Sequence, residues 1–523
     1  MVHSLLVVLK KLRTFCTYLA TKLFSFTKSA RQSMKYSLQF ICQNNPLFVQ
    51  VIYFTSISFA GYAALKVLKQ RDKSDILSDL DLLFTSVSAS TVSSMATAEM
   101  EDFSSTQLWL LTILMLVGGE VFISMLGLYL TRSQFGNSVY VDIESINSTK
   151  SGPNSTQGTK VTVPLSELHL EGKNHVEPKT IESLSYALLV YFLVTNLGSS
   201  LVIYLYLILV PDAQGVLERK GIGSVIFSVF TAISSVGNCG FIPVNENMVI
   251  FQKNTILLLI IIPQILAGNT LFAPCLRLMV WSLKKITGKE EYHFILKHPE
   301  AIGYKHLMSG RECVYLILTV FSFIITQTIL FCSLEWSSEA LQEMSSYQKI
   351  VGALFQSANA RHAGESIVDL SSLSSVILVL YTIMMYLPGY TSFLPKDDEH
   401  HSKSGMKDKR RRLLENWIFS QLSYLAIFVM LICITEREAM TTDPLNFNVF
   451  SILFEVVSAY GNVGFSVGYS CKRLRNHDVH CKDASYGFVG KWSGKGKVIL
   501  IIVMIFGRLK AFNMKGGRAW KLR

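Results

Sequence analysis

Eight stretches of 18 or more mostly apolar residues run through this 523-residue chain, at about 47–69, 107–130, 182–210, 253–282, 312–334, 371–394, 416–436 and 497–516. In lipid each such stretch must satisfy its own backbone, and a helix does so within one segment. Composition agrees: the chain is 50% hydrophobic and 16% charged, with a mean hydropathy of +0.36, where a soluble domain carries about 25% charge. Aromatic residues at 11% exclude disorder. The expected class is an all-α polytopic membrane protein with eight spans, not an enzyme, with the lipid bilayer as partner.

Charge sets the orientation. Lys+Arg total 49 against Asp+Glu 37, a formal net charge of +12. Nucleic-acid binders put such an excess on a polar domain, so no nucleic acid is expected. Here the basic residues cluster in a tail (1–46, with Lys10, Lys11, Arg13, Lys22, Lys28, Arg31 and Lys35), in loops at 283–311 and 395–415, and in the terminus 517–523. Basic flanks stay in the cytosol, so both termini are expected there, with 131–181 a flexible cytosolic loop whose sequons at Asn147 and Asn154 go unused. The tail also reads as a transit peptide, but a span follows it at once. The external loop with Lys472, Arg473, Arg475 and Lys482 goes against the rule.

Between the members of each span pair lies a stretch rich in Ser, Thr, Gly and Asn: 82–100, 223–245, 348–368 and 448–468. Each is too polar to face lipid and too apolar for an ordinary loop. Such segments sit at membrane depth only when buried in protein or lining a cavity. With Ser94, Gly240, Gly364 and Gly464 as zero points, Phe84, Phe230, Leu354 and Phe454 stand ten positions earlier, and Ser88, Ser234, Ala358 and Ser458 six earlier. The chain therefore reads as four helix–pore loop–helix repeats around a pseudo-fourfold pore: segments A (47–130), B (182–282), C (312–394) and D (416–516). Backbone carbonyls can replace an ion's hydration shell, glycine accepts the positive φ this requires, and short helices aim their negative ends at a cation.

At these turns the sequence resembles the plant HKT sodium/potassium transporters of the Trk/Ktr/HKT superfamily. The matching residues are Thr91-Val92-Ser93-Ser94-Met95, Asn238-Cys239-Gly240-Phe241, Arg361-His362-Ala363-Gly364-Glu365 and Asn462-Val463-Gly464-Phe465, with Val244-Asn245-Glu246-Asn247-Met248 and Gly517-Arg518-Ala519-Trp520-Lys521-Leu522. The resemblance implies a Ser-Gly-Gly-Gly filter at Ser94, Gly240, Gly364 and Gly464. Serine at the first position implies the sodium-selective subclass, passive channel-like permeation of Na+ across the plasma membrane, no cofactor, and a homodimer. A Na+/K+ cotransporter or a K+-permeable member of the same family is the alternative; a cotransporter would be expected to use inverted repeats, whereas these repeats look parallel.

Other residues keep two readings each. Arg508 either lies beneath the filter, paired with another segment's polar groups, or snorkels to the interface. Pro388 and Gly389 either break the third inner helix into a gate or end it. Glu365 and Asp369 either draw cations to the outer mouth or, for Glu365, pair with Arg361. Glu99, Glu101 and Asp102 read as a solvated outer face. His362 reads as structural, with no second His or Cys beside it. Cys471 and Cys481, flanking a polar loop, are either a disulfide or two thiols.

Overall fold

The computed structural model describes residues 46–71, 77–129, 178–304, 306–387, 389–391, 421–473 and 485–513. The expectations for 1–45, 131–177, 395–415 and 517–523, and for Pro388 and Cys481, lie outside these. The chain divides into residues 1–56 and 57–523; the first holds the opening turns of the helix Pro46–Val67, and the site lies wholly in the second.

The described residues form helices and no strand. Every segment follows one order: a leading helix, a short helix, a tight turn, one turn of 3₁₀ helix and a closing helix. In A these are Pro46–Val67, Asp79–Ser90, Met100–Asp102 and Ser105–Gly118, and in B Pro178–Leu209, Ser224–Gly237, Asn247–Phe251 and Thr255–Gly268. In C they are Gly310–Glu335, Ser346–Asn359, Leu370–Ser372 and Ser375–Tyr386, and in D Gln421–Thr435, Val449–Gly461, Phe488–Lys491 and Gly494–Asn513. Local sequence starts several of these. Ser104 with Gln107, Ser309 with Glu312 and Ser345 with Gln348 form reciprocal capping boxes, each satisfying orphan N–H groups of a first turn.

Membrane helices are present. Phe48–Val67, Lys179–Leu209 and Gly310–Glu335 are each long and apolar enough to cross a bilayer. On the second of these Leu189, Leu193, Leu197, Leu201 and Leu205 are exposed, a row at four-residue spacing that water would penalise and lipid would not. The closing helices depart from the expected unbroken spans. In A the helix bends by 56° between Ser105–Gly118 and Glu120–Tyr129, and in B by 87° between Thr255–Gly268 and Phe272–Thr287. In C it stops at Tyr386 after 12 residues, about 18 Å against a hydrocarbon core of about 30 Å. Extended backbone at Gly119 and the Asn269 break interrupt the hydrogen-bond ladder in A and B; in C the chain meets Pro388, which has no N–H to continue it.

The stretch 283–311, expected as a basic loop, is mostly helical. The second half of the closing helix of B runs on to Thr287, and Glu290–Lys297 and Pro299–Ile302 follow. Tyr292 and Ile295 bury their side chains in a cluster with Leu184, Leu188 and Phe272. The basic residues lie on the outer face of a packed element, an amphipathic pattern that charge counting alone does not reveal.

The four short helices are enclosed by protein. Phe84, Phe230 and Phe454 are fully buried, and in C the fully buried ring is Phe355, one position on from the expected Leu354. The turn of C is accordingly one residue shorter. In A, B and D the residue before the zero point donates its N–H to the carbonyl six before that zero point (Ser93 to Ser88, Cys239 to Ser234, Val463 to Ser458). In C it is Gly364 itself that donates, to Asn359.

Candidate functional site

The four turns meet. A Cβ built on Gly240 would overlap the carbonyl oxygen of Ala363 and stand 3.2 Å from Ser94 Oγ. One on Gly364 would overlap Val463 O and lie 2.9 Å from the Gly464 carbonyl carbon; one on Gly464 would overlap Ser94 Cβ and lie 2.8 Å from Ser93 O. Contact therefore passes from A to B, B to C, C to D and D back to A. Three of these positions must be glycine, because a side chain would enter a neighbour's backbone. The Cβ of Ser94 is tolerated because Gly464, which it faces, has none.

Backbone handedness repeats as well. Val92 and Ser94, Asn238 and Gly240, and Asn462 and Gly464 are pairs two apart with positive φ, whereas C has Gly364 alone. Asn and Gly take this conformation readily. For a β-branched Val92 (φ 51°) and for Ser94 (φ 53°) it costs about 1–2 kcal/mol each, so backbone strain concentrates in A. Hydrogen bonds hold it there: Thr91 Oγ1 donates to Val87 O and shares a bond with Ser93 Oγ at 2.8 Å, and Asn462 Nδ2 donates to Ser93 Oγ at 2.7 Å and to Met504 O at 3.1 Å.

Residues behind the turns fix them. Gly240 N–H donates to Ser234 Oγ at 2.9 Å and Gly464 N–H to Ser458 Oγ at 3.1 Å. In C, Ala358 has no hydroxyl, and Asn359 Oδ1 accepts from Glu365 N at 3.1 Å instead. Gln356 Oε1 accepts from Ser366 Oγ and Ile367 N, as Glu455 Oε1 accepts from Ser466 Oγ and Val467 N. These supports were readable in part: the serines recur at one offset, and the Gln356/Ser366 and Glu455/Ser466 spacings differ by one residue. Their roles were not, because nothing in spacing says which way a hydroxyl points.

All four zero positions open onto one cavity of about 420 Å³. Its wall includes Glu99, Asn245, Glu246, Asp369, Ser466, Ser485 and Tyr486, and, among the described residues, no Lys, Arg or His. Asn245 Nδ2 donates to Glu99 Oε2 at 2.7 Å, while Lys220, outside the wall, pairs with Glu101 at 2.9 Å and with Glu246 at 2.5 Å. Glu99 is therefore a wall residue in contact with the cavity, more than a remote solvated face.

The other sequence candidates fall in several places. Asp369 is at the cavity wall, but Glu365 is fully buried behind the turn, where Ser235 Oγ donates to its Oε1 at 2.6 Å; it is not a mouth acid. His362 is buried and uses both ring nitrogens, Nε2 at 2.8 Å from Thr270 Oγ1 and Nδ1 at 2.7 Å from Ala358 O, so it packs the turn and offers no ligand. Cys239, Ala363 and Val463 are buried. Among the described residues no group of three or more His, Cys, Asp or Glu could hold a resident metal. Cys471 is disulfide-bonded. Arg473, unexplained by the charge rule, ends the 3₁₀ turn Cys471–Arg473 and donates to Ser371 O at 2.6 Å, tying D to the 3₁₀ turn of C.

Arg508 is 6% exposed and donates to Gly118 O, so it is buried between segments and does not snorkel. That carbonyl ends the upper half of the closing helix of A, where no further helical turn supplies a donor. At the other two breaks, Tyr191 Oη donates to Ala267 O at 2.7 Å, in the last turn of the helix in B, and Arg361 donates to Gly389 O at 3.2 Å, beyond the helix end in C. Arg361 thus links the third turn to the break at Gly389, also stacking over Phe323 at 5.3 Å. Glycines missed by the sequence reading let closing helices approach the ends of short helices: a Cβ on Gly118, Gly268 or Gly507 would overlap Ser90 O, Val236 O or Tyr460 O.

A closed ring of backbone at the floor of an acid-walled cavity, inside a bundle of membrane helices, defines a membrane cation transporter. The family model described as TrkH, cation transport protein, matches residues 13–394 and 396–515. The chain is 74% identical to the cation transporter HKT1;3 of Oryza sativa subsp. japonica, over 100% of both chains. It is 48% identical to the cation transporter HKT1;1 of the same organism, covering 97% of this chain and 94% of that one. It is 50% identical to the sodium transporter HKT1 of Arabidopsis thaliana, covering 88% and 92%. The chain belongs to the HKT family of cation transporters, within the TrkH family.

Proposed function

We propose that this protein carries Na+ selectively and passively across the plasma membrane, along an axis enclosed by four repeats that together pass the membrane eight times. The observation that carries this reading is the ring itself: Ser94, Gly240, Gly364 and Gly464 touch in sequence and share one cavity. Four short helices end just before the ring, at Ser90, Gly237, Asn359 and Gly461. Their negative ends favour a cation there, each by about 0.3–1 kcal/mol, and the carboxylates of the cavity wall concentrate cations above it. Selectivity for Na+ is assigned to Ser94, whose side chain holds one quadrant of an otherwise all-glycine ring, and one 50%-identical relative is named a sodium transporter.

Voltage-clamped cells expressing the chain, bathed alternately in Na+ and K+, test the proposal. Reversal should track the Na+ gradient and stay insensitive to K+. Equal reversal in both ions would favour a K+-permeable member, and uptake that needs both ions without channel-like current would favour cotransport.

A further inference from the structure

The lower half of the closing helix of B, Phe272–Thr287, has two faces of different kinds. One is packed: Phe272, Leu276, Val280 and Leu283 are buried in a cluster with Ile181, Leu184 and Leu188, from the first turns of the membrane helix Lys179–Leu209. Arg277 also turns inward, donating to Met308 O and Leu296 O at 3.0 Å each, which fixes the helix against the chain that follows. The other face is open. Leu278 is 61% exposed and Trp281 45%, and the exposed Lys285 follows them on the same side, at positions i, i+3 and i+7. Lys285 Nζ lies 4.1 Å from the centre of the Trp281 ring. Ile286, 79% exposed, and Lys289 stand at the same end.

Lengths say where this face lies. Val249 is in the cavity wall, and the upper half starts six residues later at Thr255, so the lower half is at the end away from the cavity. The upper half has 14 residues, about 21 Å of a hydrocarbon core about 30 Å thick. The chain then turns by 87°, which lays the lower half across the far boundary of the core instead of through it. Amphipathic helices rest at that depth, 5–10 Å below the headgroups. Tyr186 and Leu189 are exposed on the neighbouring membrane helix, so the open face continues a surface that lipid already covers. Tryptophan is favoured at headgroup level, and a lysine beside it carries its amine outward.

We propose that the open face of Phe272–Thr287 docks the anionic phospholipids of the cytosolic leaflet. Leu278 and Trp281 rest on acyl chains, while Lys285 and Lys289 meet the phosphate headgroups. Charge selects this occupant over a second copy of the chain. The 16 residues of the helix include no acid, the first ones being Glu290 and Glu291 in the next helix, so a copy of the same face brings no counter-charge. An anionic headgroup does, and each lysine near such a surface favours it about fivefold. The proposal needs a chain that spans a membrane and no particular ion, so it stands apart from the Na+ reading above.

The test reconstitutes the full chain into phosphatidylcholine vesicles that contain, at equal mole fraction, either brominated phosphatidylcholine or brominated phosphatidylglycerol. Bromine quenches tryptophan on contact, and subtracting the emission of Trp281→Phe isolates Trp281. The brominated phosphatidylglycerol should quench Trp281 at a lower mole fraction than the brominated phosphatidylcholine. Lys285→Gln and Lys289→Gln should each reduce that preference about fivefold, and Lys285→Arg should keep it. Equal quenching by the two lipids, or a preference unchanged in both Gln variants, would overturn headgroup recognition. No quenching by either lipid would overturn the docking altogether, and cross-linking of Leu278→Cys between copies would then assign the face to a second chain. Should the Gln variants fail to fold, the wild type in rising salt decides the matter. The preference should vanish near 1 M, where the Debye length is about 3 Å, and a preference that ignores salt would refute the proposal. Reversal potentials that contradict Na+ selectivity would leave this readout unmoved.

Discussion

Replacing Ser94 with glycine isolates one side chain of the ring. Ser94 holds φ at 53°, which costs a residue with a Cβ about 1–2 kcal/mol and glycine almost nothing. Glycine gives back about 0.5–1 kcal/mol through the greater freedom of its unfolded chain. The two effects nearly cancel, so Ser94→Gly should fold and reach the surface as the wild type does. What changes is the ring: Ser94 Cβ leaves its contact opposite Gly464, and Ser94 Oγ its place near Gly240. With four glycines, the quadrants can relax towards a wider ring of carbonyls, and K+ should enter. A tenfold rise in the K+/Na+ permeability ratio corresponds to about 1.4 kcal/mol, which is the size of the strain released. Reversal potentials in mixed Na+ and K+ baths, with surface protein measured in parallel, read this directly. If Ser94→Gly reaches the surface and keeps the wild-type ratio, the side chain does not set selectivity and the argument fails.

Two further outcomes follow from the same geometry. Ser458→Ala and Ser234→Ala each remove the acceptor for a ring N–H, a loss of about 1–3 kcal/mol for a buried donor. Both should broaden ion selectivity, measured as reversal shifts, and neither should act if the hydroxyls are incidental. Glu99→Gln removes one charge from a cavity wall that holds Glu99, Glu246 and Asp369. Na+ current should fall at low ionic strength and recover above about 0.15 M, where the Debye length shrinks to about 8 Å; an equal loss at every salt concentration would mean that Glu99 supports the wall through Asn245.

The apolar spans, the four polar stretches between them and the phase of their serines and glycines were legible because burial in lipid and left-handed backbone restrict residue choice so strongly. Segment C shows the limit. Counting from Gly364 places Leu354 and Ala358 in the repeat, but Phe355 supplies the fully buried ring and Asn359 the acceptor, since a turn shortened by one residue leaves no mark in composition. Glu365 looked like a mouth acid because a carboxylate near a filter position has only its sequence neighbours to judge by.

The sequence by itself determined the class of protein and pointed to the stretches that carry the four turns, because each follows from local chemistry that holds wherever the segment lies. The tertiary structure decided everything that depends on partners far apart in the chain. It closed four turns into one ring and set Arg508 of segment D on Gly118 of segment A. A carbonyl freed by a break must find its donor in space, and no local pattern of residues records where that donor will come from.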